Sequence, residues 1–302
     1  MKVHPGGRAV IAIMLSVAAT TPVEPLTQTR PDRATLERDL AEARARWSAK
    51  KPTNYEFVLD IPVAETPWDR RFSSFRVIGG SSTTINPLTG SMAPMFQGRT
   101  TIEALFDLVA ERITKAPASS PSYDEELGYV TGLFNPDYRQ ISFRVPAWRA
   151  FTESSEVREP FVLVVHVNHC GFFDEPRSLI QCPSYSIAMW ADGTVVYQGG
   201  SGVLTLGRRE HQVDQSNMRD LSSAIAESGF FAMAADYSSI TENNVTRTID
   251  HSAEKWITIR IDGLQKTVHD FYGAPDRLTH LEAAIEKAAD SRRYTGRTDV
   301  ER

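Results

Sequence analysis

Ile257, Ile259 and Ile261 alternate with polar residues up to Asp262-Gly263, and Leu264 follows the pair. Side chains on a strand change face at every residue, so this period of two marks a strand. Asp-Gly supplies the positive φ values of a two-residue type I′ turn, so the chain is expected to fold straight back as a hairpin. Asp192-Gly193 lies in similar surroundings and predicts a second hairpin of the same kind. Two such local pairings direct the fold toward classes built on antiparallel sheet.

The rest of the second half is read around these hairpins. Phe161 to Val167 is nearly all apolar and predicts a central strand. Asp214 is placed to cap a helix carrying Met218, Leu221 and Ile225 that stops at Gly229. Pro275 stands where a last helix starts, with Leu278, Leu281 and Ile285 on one face. The order is β-β-β-β-α-β-β-β-α, strands before helices, which is α+β rather than a doubly wound sheet.

The first half begins with a helix from Asp32, marked by Leu36, Leu40, Ala43 and Trp47 and ended by Lys51-Pro52. Tyr55, Phe57, Leu59 and Ile61 alternate as a strand, and Phe75 and Val77 suggest a second before Gly79-Gly80. Residues 86–99 read as a loop. Thr100 with Glu103 has the form of a capping box, and Ile102, Leu105, Phe106, Val109 and Ile113 follow as the clearest amphipathic helix. Strands are expected near Gly128–Phe134 and Ile141–Val145, giving α-β-β-α-β-β. The polar stretch 150–160, ending in Pro160, reads as a linker. The expected plan is two small α+β domains, 32–149 and 161–290, each a mainly antiparallel sheet packed by one or two helices. A flexible tail is expected at 291–302.

Ahead of these, Lys2, His4 and Arg8 precede the apolar run Ala9–Ala19, and Val17-Ala18-Ala19 offers the small residues a signal peptidase reads. Residues 1–19 therefore read as a signal peptide cut before Thr20, and 20–31 as a lead segment. The run is too short to cross roughly 30 Å of hydrocarbon, so no transmembrane anchor is expected after processing. The expected location is extracytoplasmic, either periplasmic or secreted. The 302 residues carry a formal charge of −5, with 41% hydrophobic and 24% charged residues, the composition of a soluble globular protein. Loss of Lys2 and Arg8 makes the processed chain more acidic still. No basic stripe with interleaved aromatics is present, which argues against nucleic acid as a partner.

Cys170 and Cys182 are the two cysteines. In an oxidising compartment their simplest state is a disulfide, worth about 3 kcal/mol for a loop of this size. The alternative is a metal site from His166, His169, Cys170 and Cys182, but the spacing follows no usual zinc pattern. No metal and no cofactor are expected.

Cys170, then Cys182-Pro183-Ser184-Tyr185, then Asp192-Gly193-Thr194-Val195-Val196-Tyr197-Gln198-Gly199 and Lys266-Thr267-Val268 occur in an order with a family likeness. Over residues 161–290 the chain resembles a bacterial exported domain family of unknown function. The loop between the cysteines is longer here than is usual there. Asn54-Tyr55, Thr101 through Phe106, and Tyr123-Asp124 through Gly128-Tyr129 resemble, over residues 45–146, a second uncharacterised bacterial exported family, whose cysteines after the first strand are missing here. The resemblances imply compartment and fold, and no activity.

Six of the seven histidines lie in the second half, so acid–base chemistry is sought there. His269-Asp270 and Asp250-His251 are adjacent pairs, yet strand neighbours face opposite ways. His280 and Glu282 lack the spacing of a zinc protease. Gly200-Ser201-Gly202 lacks the full nucleophile elbow and reads as part of a turn. Asp124-Glu125-Glu126 lacks the spacing of a calcium loop and reads as solvated. Phe172-Phe173 and Phe230-Phe231 could anchor a partner, although at least one of each pair is expected in the core. No catalytic or cofactor-binding residue is assigned. The leading reading is a non-catalytic binding or structural module of the envelope, with an envelope protein or a small molecule as its partner. The others are an envelope hydrolase drawing on His211, His251, His269 and Asp250, and an inhibitor-like domain.

Overall fold

The computed structural model describes residues 31–63, 66–86, 96, 98–116, 119–135, 140–152, 159–168, 183–242, 245–247, 253–271 and 273–296. The segment 1–19 expected to be a signal peptide, both cysteines, His169, Phe172, Phe173, Asp250 and His251 lie outside them.

The described residues open with α1 (Arg33–Lys50), whose start is fixed by Asp32 Oδ1 accepting the Thr35 N–H at 2.7 Å. Three antiparallel strands follow: β1 (Asn54–Val63), β2 (Thr66–Ile78) and β3 (Ser81–Asn86). After α2 (Ile102–Lys115) come β4 (Ser120–Tyr123), β5 (Val130–Asn135) and β6 (Gln140–Ala150). These strands form one six-stranded sheet in the order β3-β2-β1-β6-β5-β4. β3 and β4 carry no apolar alternation, which is why the sequence pattern passed over them. Both are sheet edges.

The second sheet is built from β7 (Phe161–Asn168), β8 (Ser184–Trp190), β9 (Thr194–Gly199) and β10 (Gly207–Gln212). Helix α3 (Gln215–Ser228) ends at Gly229 in the left-handed region, as its sequence predicts. Its N-cap is Asp214, though the side chain makes no capping bond. Short strands β11 (Asp236–Tyr237), β12 (Ile240–Glu242) and β13 (Val245–Arg247) precede β14 (Ala253–Ile261) and β15 (Leu264–Asp270). The sheet order is β10-β9-β8-β7-β14-β15-β11, antiparallel except for the β11–β15 pair. Helices α4 (Asp276–Ala288) and α5 (Arg292–Thr295) are the last elements of the described residues.

Residues Asp32–Arg302 form one compact unit with three cores. The first joins α1 and α2 to one face of the first sheet, through residues such as Trp47, Phe57 and Leu105. The second joins α3 and α4 to one face of the second sheet, through Leu221, Ile257 and Leu281. The third contains strand residues alone, among them Val58 and Ala147 from one sheet and Leu163, Val165 and Trp256 from the other. The architecture is therefore α+β in four layers, helices outside and two sheets face to face within. It also explains the unbroken apolar run of β7. Val162 and Val164 face the helices while Phe161, Leu163 and Val165 face the other sheet, so both faces are dry.

Three local expectations change. Asp262 and Gly263 both have positive φ, 51° and 72°, so the type I′ hairpin between β14 and β15 forms. At Asp192-Gly193 only the glycine does, and β8 ending at Trp190 with β9 starting at Thr194 leaves a longer, three-residue loop. Asp192 is occupied otherwise: Oδ1 accepts the Thr194 N–H, and Oδ2 accepts Arg149 at 2.6 Å from the other sheet. The cap of α2 is Thr101, not Thr100, and Glu103 does not fold back on it. Its carboxylate instead accepts Trp47 Nε1–H, Tyr55 O–H and Lys51 Nζ–H at 2.8–3.0 Å. The stretch from Ser291, expected to fray, opens with α5, because Tyr294 stacks on Tyr197 at 4.8 Å between ring centres. Among the described residues no helix is long and apolar enough to cross a membrane.

Candidate functional site

Between the β4–β5–β6 side of one sheet and β7–β8–β9 of the other lies a cleft of about 600 Å³. That volume is ordinary for a small-molecule site. Leu133, Pro146 and Val165 line it, and Phe134, 41% exposed, stands in its wall. Arg144 is the charged side chain of the lining. Hydroxyls of Ser120, Ser122, Thr131, Ser184, Ser186 and Ser201, with the Gln198 amide, supply the polar groups. Two of these are already committed to backbone carbonyls. Ser186 donates to Pro146 O at 2.6 Å, bridging the sheets, and Ser122 donates to Gly132 O. Gly200 fits the wall because its N–H donates to Ser184 O, and a Cβ there would lie 2.9 Å from that oxygen. The Gly199–Gly202 stretch is thus strand end and turn, as its sequence suggests.

A second feature crosses the helix-facing side of the second sheet. Strand pairing sets Tyr185 beside His166, His166 beside Lys255, and Lys255 beside Asp270. This row shares its face with Val164 and Ile257, so it lies under α4. From α4, Glu282 Oε2 approaches Lys255 Nζ to 2.6 Å, and Glu286 lies 3.9 Å from the same ammonium. Tyr185 O–H donates to Glu286 at 3.3 Å, and His166 meets the Tyr185 ring edge-on. All six side chains are buried. Burial pushes the Glu282 carboxyl up to about 7; the Asp270 carboxylate adds to this and the Lys255 charge opposes it. The row can hold a proton near neutral pH, but it is closed to a substrate of any size.

The histidines singled out from sequence are dispersed. His211, on β10, approaches Ala289 O at 3.1 Å and Tyr294 Oη at 3.3 Å. Burial and the Arg293 charge lower its pKa. His269 is stacked on Trp256 at 4.7 Å, with Nδ1 2.7 Å from Asp236 Oδ1 and Nε2 3.8 Å from Glu254. Five inter-strand steps separate β10 from β15, about 24 Å, so the two imidazoles cannot share a proton. Asp270 leaves its sequence neighbour for the opposite face and joins the Lys255 row. Asp124 Oδ1 accepts the N–H groups of Glu126 and Leu127, an Asx turn that closes the β4–β5 connection. Phe230 is buried and Phe231 partly so. Among the described residues no three His, Cys, Asp or Glu side chains gather as metal ligands.

Lys255 and Glu286 belong to no motif, and Glu282 stands out in the sequence only beside His280 without the zinc-protease spacing, but their positions carry a signal. Glu282 and Glu286 fall on the apolar stripe of Leu278, Leu281 and Ile285, where an acid has to find a cation or a proton.

Residues 180–289 match a domain of unknown function (DUF6438). The match runs from just before β8 through α4. It takes in Tyr185, Lys255, Asp270, Glu282 and Glu286, and leaves β7 and the whole first sheet outside. No curated protein matches the chain.

Proposed function

We propose that this chain is a non-catalytic binding module of the extracytoplasmic space, holding a small, largely apolar ligand with one acidic end in the cleft between its sheets. The carrying observation is the lining. Apolar walls, hydroxyls and a single charged side chain, Arg144, fit a molecule of that kind. Serine hydroxyls committed to carbonyls favour holding a ligand over attacking one. The compartment rests on the basic and apolar segment at residues 1–19, and on the resemblance to exported bacterial families. The same reading pairs Cys170 with Cys182 as a disulfide.

Titration with 1-anilinonaphthalene-8-sulfonate, itself apolar with one anionic group, tests the cleft. Saturable binding that Thr131→Trp weakens roughly ten-fold, with an unchanged far-ultraviolet spectrum, is expected from filling the lining. Equal binding by the variant would place the probe elsewhere and remove the cleft from the argument. Amino-terminal sequencing of exported protein should begin at Thr20, and intact full-length chain in the cytosol would contradict export.

A further inference from the structure

The loop joining β9 to β10 carries Leu204 and Leu206, which leave 74% and 61% of their surface in water. It is braced rather than loose. Thr205 N–H donates to Tyr294 O at 3.0 Å, and Leu204 rests on Gly296, where a Cβ would meet its Cγ at 2.5 Å. Tyr294 is itself stacked on Tyr197. The leucines are therefore held outward by α5 and the hairpin. Three arginines lie on the two elements that flank the loop, β10 and α5. Arg209 shares a sheet face with Tyr197, and Arg292 and Arg293 project from α5. Arg293 is paired with Asp290, while Arg209 donates to the Arg208 carbonyl. Neither Arg209 nor Arg292 has an acidic partner among the described residues. In a chain of net charge −5, this edge is locally positive.

We propose that this leucine-tipped, arginine-flanked edge docks on an anionic phospholipid surface. The leucines would enter the interface, and Arg209, Arg292 and Arg293 would meet lipid phosphates. Two apolar side chains are too few to anchor a protein alone, and adjacent cations supply the second attraction that stable attachment needs. A guanidinium matches phosphate oxygens bidentately. A second copy of the chain fits this patch poorly, because a two-fold contact would set arginine against arginine.

The test is co-sedimentation of the chain with phosphatidylcholine vesicles, with and without about a third phosphatidylglycerol. Partitioning onto the anionic vesicles should exceed that onto neutral ones by roughly ten-fold or more and fall as salt rises. Leu204→Ser with Leu206→Ser, and separately Arg209→Gln with Arg292→Gln, should each remove most of it, while inorganic phosphate should not compete. All four side chains are exposed, so folding should be intact by circular dichroism. The proposal fails if the wild-type chain ignores anionic vesicles, or if the leucine variant binds them as well as wild type. It fails equally if the same substitutions abolish only a self-association seen without lipid.

Discussion

Lys255 Nζ lies 2.6 Å from Glu282 Oε2, with both side chains 4% exposed, so one ion pair ties the centre of the second sheet to α4. Taking either charge out of water is costly, and their attraction offsets that cost only while both are present. Lys255→Met leaves Glu282, Glu286 and Asp270 together without their cation. It should destabilise the fold by about 3–5 kcal/mol in urea unfolding. Lys255→Met with Glu282→Leu should recover part of the loss, because the acid nearest the cation is then no longer stranded, while Glu286 and Asp270 still lack it. A double variant no more stable than the single one would mean that the pair does more than cancel its own desolvation.

The same pair sets a pH dependence. The folded-state pKa of Glu282 is raised to about 7 from an ordinary 4.5, first by burial. The folded form therefore binds more protons than the unfolded form between these values, and stability falls as pH rises. The contribution is full below pH 4.5 and is lost as pH passes through about 7. Thermal unfolding between pH 5 and pH 8 should show this decline, and Glu282→Gln should flatten it. An identical slope in the variant would assign the dependence to other groups.

His211 acts in the opposite sense. Burial, and then the neighbouring Arg293 charge, disfavour its imidazolium, so its folded pKa lies below 6.5. Here the unfolded chain binds the proton first, and stability is lost as pH falls through and below 6.5. A nuclear magnetic resonance titration of the His211 ring should find the lowered value. Arg293→Gln should move it upward, and no movement would leave burial as the whole cause.

Much of the scaffold was legible because it follows from local periodicity. The parity of Ile257 and Ile259 sets which face of β14 packs under the helices, and the same parity carries Lys255 to that face. What period and spacing could not show is contact between distant segments. The cleft is bounded by strands from both sheets, and Glu103 has the spacing of a cap yet turns to donors on α1 and β1. Asp192 reads as a turn residue, but its geometry answers to Arg149 in the other sheet. Segments that interact only after folding leave no mark at fixed spacing, whereas a charge inside an apolar stripe does.

Gly128 offers a last check, on how closely α1 lies against the β4–β5 connection. Its φ is +83°, and an added Cβ would meet Ala43 O at 2.4 Å and Arg46 Cβ at 2.8 Å. Gly207 has a similar φ of +73° with nothing within 4 Å. Gly207→Ala thus isolates the backbone penalty of the left-handed region, about 1–2 kcal/mol. Gly128→Ala carries the same penalty and must also push the α1 backbone away, disturbing the packing of Trp47 beneath it. Overpacking of this kind adds about 1–3 kcal/mol, so Gly128→Ala should be clearly the more damaging in denaturant unfolding. Equal losses for the two variants would show that α1 yields freely at this point, and the close contact would then be no constraint on the fold.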